Sequence, residues 1–152
     1  MSESLNLFEY NASRAKKSSD FNIIMRDCIY GGNTRTIYEK FCRTLKWDES
    51  KMNKFGMFTP LYAENADTDR KFDVWFIYIA NKKVDDVHLG NYLYNDGDII
   101  IEKISTGSSN PAGRITFLKT NKGYVFLGVY DLVKNGNERH YKRISDIYPI
   151  TK

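Results

Sequence analysis

Residues 114–144 read RITFLKTNKGYVFLGVYDLVKNGNERHYKRI, and their patterning decides the class of fold. From Arg114 to Lys119 the residues alternate, with Ile115 and Phe117 on one face, the period of two that a strand requires. Asn121-Lys122-Gly123 reads as a short hairpin loop with glycine at the left-handed position. Tyr124 to Val133 is a long aromatic and β-branched run broken by Gly128, which predicts a bulge or a sharp bend. Asn135-Gly136 signals a two-residue hairpin turn, and Glu138 to Ile144 makes the next strand.

Upstream the same logic gives two further strands. Phe72 to Ile79 is aromatic and β-branched, and Asp98 to Ile104 is entered through the turn residues Asn95-Asp96-Gly97. Before Thr59-Pro60 the period changes. Thr36 with Glu39 fits a capping box, and Ile37, Phe41 and Leu45 recur every four residues, which predicts a helix. A second short helix is expected from Asp48 to Phe55, ended by Gly56. The polar residues 1–20 read as a docking helix or a loose arm. The expectation is one α+β domain over residues 1–152, helical at 33–56 and β-rich at 60–148. Its N-terminal helices would pack on a curled, mostly antiparallel sheet or partly closed β-barrel.

Composition agrees with a folded chain: 152 residues, 41% hydrophobic and 28% charged. The longest strongly apolar run, Val74 to Ala80, falls well short of the roughly 20 residues that span a bilayer. No basic n-region precedes an apolar h-region at the N-terminus, so a cytoplasmic protein is expected. Cys28 and Cys42 show no metal or redox spacing and read as reduced, packed thiols. The net charge of +4 is unevenly spread. Residues 1–60 carry ten basic and seven acidic side chains, residues 61–102 four and nine, and residues 103–152 nine and three. Two basic ends flank an acidic middle.

Catalytic chemistry finds little support. His88 and His140 are the only histidines, and no metalloprotease, nucleophile-elbow or P-loop motif is present. Asp85, Asp86, Asp96, Asp98 and Glu102 suit a divalent-metal nuclease, but Glu102 and Lys103 point to opposite faces of a strand. No cofactor is implied. Gly31-Gly32-Asn33-Thr34 has two readings, an anion cradle of backbone N–H groups aided by Arg35, or a plain loop with a helix cap. Arg139-His140-Tyr141-Lys142-Arg143 is either a phosphate-contacting strip or an edge strand kept soluble by charge. Of the 11 Tyr, 9 Phe and 2 Trp, Tyr62, Trp75, Tyr78, Tyr92, Tyr94, Phe117, Tyr124, Phe126 and Tyr130 fall in or near the β-region, where they make either a core or a pocket for a planar heterocycle.

Trp75, Asn91-Tyr92, Gly97-Asp98-Ile99-Ile100-Ile101-Glu102 and Tyr124-Val125-Phe126-Leu127-Gly128-Val129-Tyr130 together resemble the PUA-like superfamily of small curled barrels, over residues 60–148. Tyr141-Lys142-Arg143-Ile144-Ser145 is similar in style to modules of that group appended to bacterial restriction and defence proteins. The resemblance implies a non-catalytic nucleic-acid-binding module that reads a modified or flipped base. Trp75 and Tyr92 would stack on the base, Asn91 or Asp98 would bond its edge, and Arg139, Lys142 and Arg143 would hold phosphates. The alternatives are a protein-interaction or inhibitor domain of a phage or bacterial defence factor, and the metal-dependent nuclease.

Overall fold

The computed structural model describes residues 4–20, 22–33, 36–37, 63–64, 71–77, 90–103, 113–136 and 138–149. In chain order the strands are β1 (Lys16–Lys17), β2 (Ile23–Met25), β3 (Cys28–Gly31), β4 (Ala63–Glu64), β5 (Lys71–Ile77), β6 (Gly90–Tyr94), β7 (Ile99–Lys103), β8 (Gly113–Thr120), β9 (Gly123–Lys134), β10 (Glu138–Ser145) and β11 (Ile147–Pro149). The main path of the sheet runs β4-β5-β8-β9-β10-β7-β6, and six of these strands, β5 to β6 along it, curl into a half-barrel. β3 adds to β9 and carries β1, while β2 and β11 form a separate two-stranded ribbon.

This architecture corrects the expected α+β class: the described residues are nearly all β, and their sheet is mixed. Among the described residues helical structure is confined to a single 3-10 turn, Ala12–Arg14, and to Thr36 and Ile37. The expected helices of residues 33–56 lie outside the described residues except at Asn33, Thr36 and Ile37. There Asn33, rather than Thr36, is the cap, since its Oδ1 accepts from the Thr36 amide at 2.8 Å and from the Thr36 hydroxyl at 2.9 Å. No helix among the described residues is long and apolar enough to cross a membrane. The mixed character comes from β5 and β8, which pair in parallel from Phe72↔Gly113 to Ile77↔Leu118. Parallel neighbours need a crossover, and here the connection contains the β6–β7 hairpin, which docks at the far end of the sheet against β10.

Two side-chain clusters fill the two faces. Ile24, Tyr30, Ile37, Phe76, Ile115, Phe117, Tyr124, Phe126 and Val129 pack under the β2–β3 segment. Trp75, Ile77, Leu93, Ile100, Leu118, Leu127, Tyr130 and Tyr141 form the second cluster. All six curled strands contribute to the latter, as the concave side of a half-barrel requires. On β5 and β8 simple alternation divides the residues between faces, with Phe76, Ile115 and Phe117 on one side and Trp75, Ile77 and Leu118 on the other.

On β9 the alternation changes phase. Gly128 has φ 135°, and the β8–β9 register shifts between Thr116 and Phe117. Phe126 and Leu127 obey one phase, Val129 and Tyr130 the other. The bulge expected at Gly128 therefore turns Tyr130 inward. A Cβ at Gly128 would lie 2.7 Å from the Ser145 carbonyl oxygen and 3.0 Å from Arg143 Nε, so only glycine fits. The two-residue turn expected at Asn135-Gly136 does not form. Gly136 is not left-handed, and residues 135–137 make the connection.

The N-terminal arm is a strap. The Phe8 amide donates to the Leu93 carbonyl at 2.8 Å, the Asn95 amide to the Asn6 carbonyl at 2.8 Å, and Leu7 bridges to Tyr94. It crosses the rim of β6 before β1 pairs in parallel with β3.

Candidate nucleic-acid interface

The residues expected to bind a ligand divide between two faces of the half-barrel. Across β6, β7 and β10 the register places Asn91, Glu102 and Arg139 in one row on the inner face. The Trp75 ring, 4% exposed, lies beside Tyr141 with ring centroids 4.9 Å apart. The Arg114 guanidinium sits 5.2 Å from the Trp75 centroid and 5.5 Å from that of Tyr141. Arg139 approaches Glu102 at 3.6 Å, and the Tyr141 hydroxyl donates to Glu102 at 3.4 Å. Burial raises the Tyr141 pKa, so the phenol stays a donor. A cation beside two rings and an ion pair with Glu102 give a polar layer on the inner face. Tyr92 lies on the outer face, where Lys103 Nζ is 5.1 Å from its ring centroid. Asp98 belongs to the β6–β7 turn, its carbonyl accepting from the Arg143 amide at 2.9 Å.

Of the three expected phosphate contacts, Lys142 is exposed on the outer face, whereas Arg139 and Arg143 are buried on the inner one. Arg143 is a structural brace. Its Nε donates to the Leu127 carbonyl at 2.9 Å and its Nη2 to the Tyr130 hydroxyl at 3.0 Å, while that hydroxyl donates to the Gly97 carbonyl. Burial raises the Tyr130 pKa, against the lowering effect of Arg143.

Next to this brace the β6–β7 turn carries Asp96, held by Arg14 at 2.9 Å and Arg26 at 2.9 Å. The Arg14 hydrogen bond first, and the Arg26 charge with it, lower the Asp96 pKa. Arg14 also reaches Asp27 at 3.0 Å, and Asp27 accepts from the Tyr10 hydroxyl at 2.8 Å. Burial and this bond raise the Tyr10 pKa. Three aspartates, Asp27, Asp96 and Asp146, thus offset Arg14, Arg26 and Arg143.

Among the described residues, exposed lysines without a carboxylate partner also stand at the tip of the β8–β9 hairpin, where Lys119 Nζ lies 5.0 Å from the Tyr124 ring centroid and Lys122 faces water. The Thr120 hydroxyl donates to the Gly123 carbonyl at 2.7 Å and accepts from the Lys122 amide at 3.2 Å, which fixes the loop. Gly123 has φ 123°, and a Cβ there would stand 2.8 Å from the Gly31 carbonyl oxygen. That close approach seats the tip on the end of β3. Because Lys17 pairs with Ile29 and the Ser18 amide donates to the Ile29 carbonyl at 3.0 Å, the end of β1 arrives at the same place.

Two grooves result, meeting at Lys122. One, of about 510 Å³, is bordered by Lys17, Ser18, Ser19, Gly31, Gly32 and Lys122. The other, of about 830 Å³, runs between the strap and the hairpin, with Asn11, Ser13, Lys119, Asn121 and Lys122 on its walls and Glu9 as its carboxylate. Lys17, Lys119 and Lys122 are all exposed. Sequence reasoning named Gly31-Gly32 as one of two readings but passed over these lysines. The available signal was Lys122 itself, since the central residue of a tight hairpin loop must face water.

Among the described residues no group of three or more His, Cys, Asp or Glu is placed to hold a metal ion. Asp85 and Asp86 lie outside them, as do His88 and Cys42. Cys28 is a free thiol, and His140 approaches Glu138 at 3.4 Å. No protein-family model, no curated protein and no solved structure matches the chain.

Proposed function

We propose that the protein is a non-catalytic module that binds nucleic acid through its phosphates, the surface being the two grooves joined at Lys122. The observation that carries this reading is the gathering of Lys17, Lys119 and Lys122 from separate parts of the chain onto grooves with one carboxylate, Glu9, among their described walls. Ammonium groups on a concave surface neutralise phosphates and release counterions. Serine hydroxyls and asparagine amides beside them supply the donors that position a backbone. The proposal rests on phosphate contacts and gives Trp75 no stacking role, because Arg114 and Tyr141 already face its ring.

Titration of DNA and RNA oligonucleotides at several salt concentrations tests it. Neutralising about three phosphates gives a slope of about −2 to −3 in log affinity against log salt. Lys122→Ala should reduce that slope by about one. Binding that ignores salt, or a Lys122→Ala protein with the wild-type slope, would sink the reading.

One observation favours a second reading, a protein-interaction domain. Ile23, Met25 and Ile147 are exposed on the β2–β11 ribbon, with Met25 directly opposite Ile147. Exposed apolar clusters of this kind mark contact surfaces. That reading stands if no oligonucleotide binds.

A further inference from the structure

The two grooves differ in chemistry. The smaller offers two ammonium groups, Lys17 and Lys122, with the Ser19 hydroxyl, the Ser18 hydroxyl accepting from the Asp20 amide at 3.2 Å, and no carboxylate among its described walls. Its wall is open at Gly32, where an added Cβ meets nothing within 4 Å, whereas one on Gly31 would lie 3.4 Å from Ile37. A ligand can therefore approach the Gly32 backbone as closely as a side chain would. The larger groove is close to neutral by comparison, since Glu9 offsets one of its two lysines, and its walls carry the Asn11 and Asn121 amides and the Tyr10 ring. An internal phosphodiester carries one negative charge, whereas a phosphate monoester carries about −1.5 to −2 at neutral pH and three strong acceptor oxygens.

We infer that the smaller groove takes the terminal phosphate monoester of a nucleic-acid strand, with the first nucleotides lying in the larger groove beyond Lys122. The inference rests on the nucleic-acid reading above and narrows it to strand ends. Lys17 is the residue specific to the terminal phosphate, since it borders the smaller groove alone, and Lys122 serves both grooves. The strap supplies one wall of the larger groove through residues 9–13, so the strand is held between the strap and the hairpin.

Internally labelled single strands of one sequence, as DNA and as RNA, with a 5′-phosphate, a 3′-phosphate or hydroxyls at both ends, provide the test. One phosphorylated end should bind about tenfold more tightly than the hydroxyl-ended strand, the gain expected of one added charge-assisted contact. Lys17→Ala should abolish that preference, so that the phosphorylated and hydroxyl-ended strands bind the variant alike. Gly32→Val fills the same space without changing charge and should abolish the preference too. Equal affinity for all three ends would overturn the inference and leave the nucleic-acid reading intact; no binding by any strand would overturn both. Inorganic phosphate that displaces the phosphorylated strand as effectively as an unlabelled phosphorylated strand would assign the groove to a free phosphate ester, which also overturns it.

Discussion

Asp96 concentrates at one residue the forces that hold the strap. It sits in the left-handed region at φ 58°, between Asn95 at 53° and Gly97 at 80°, a conformation that aspartate tolerates better than most residues. Its pKa is lowered by Arg14 first and by Arg26. A depressed folded pKa means that the ionised carboxylate adds stability above the unfolded value, about 3.9, and that this is lost as pH falls toward the folded value. Asp96 is 58% exposed, so solvent screens the pairs and global stability should change little. The effect should be local. The protection of the Phe8 and Asn95 amides against exchange, relative to the unfolded chain at the same pH, is expected to fall below about pH 4 in the wild type, since their hydrogen bonds fasten the strap. Asp96→Asn should already exchange quickly at neutral pH and lose the acid dependence. An unchanged exchange profile in the variant would show that the backbone bonds alone hold the strap.

At the scale of the elements, β9 is the organising strand, and its bulge sets which side chains face the concave side. Gly128→Ala would place a methyl against the Ser145 carbonyl at an unfavourable φ. The strain alone costs about 1–3 kcal/mol, and displacement of Arg143 from the Leu127 carbonyl adds to it. Gly136→Ala is the control: its Cβ would meet nothing nearer than 3.9 Å, so a change within about 0.5 kcal/mol is expected. Urea midpoints of the two variants at constant slope make the comparison, and equal midpoints would remove the bulge from the argument. Much of this strand was legible. The run from Tyr124 to Val133 announced itself by composition, and Gly128 by interrupting it. The inversion of facing beyond Gly128 was not legible, because it depends on which residue of β8 the bulge opposes. Neither was the parallel β5–β8 pair, since alternation reports burial and not the direction of a neighbour. β1 is two exposed lysines, Lys16 and Lys17, with no periodicity to read. The site was obscured for the same reason. Alternation puts Arg139 and Arg143 on one face of β10 and Lys142 on the other, but whether that face is inside depends on the curl of the sheet.

For the molecule as a whole, folding turns a charge pattern along the chain into a field in space. The basic first segment and the basic last segment meet where β3, carrying β1, joins β9, which brings Lys17 onto the groove that Lys122 also borders. The acidic middle is partly neutralised on the spot, Asp96 by Arg14 and Arg26, and Glu102 by Arg139. Among the described residues Lys17, Lys119 and Lys122 border the two grooves, so a net charge of only +4 can still steer a polyanion there. Steering weakens as the screening length falls from about 30 Å at 0.01 M salt to about 10 Å at 0.1 M. The association rate of an oligonucleotide should therefore fall by about tenfold over that range. Replacing Lys17 and Lys122 together by Glu should flatten the dependence. The informative comparison is Lys134→Glu with Lys142→Glu, two exposed lysines at the other end of β9 and on the outer face of β10. This pair changes the net charge by the same amount without touching the grooves. If stopped-flow association slows equally in both double variants, the field of the whole protein attracts the strand and the grooves do not. If only the first pair slows it, the attraction is local to the place where the two ends of the chain were brought together.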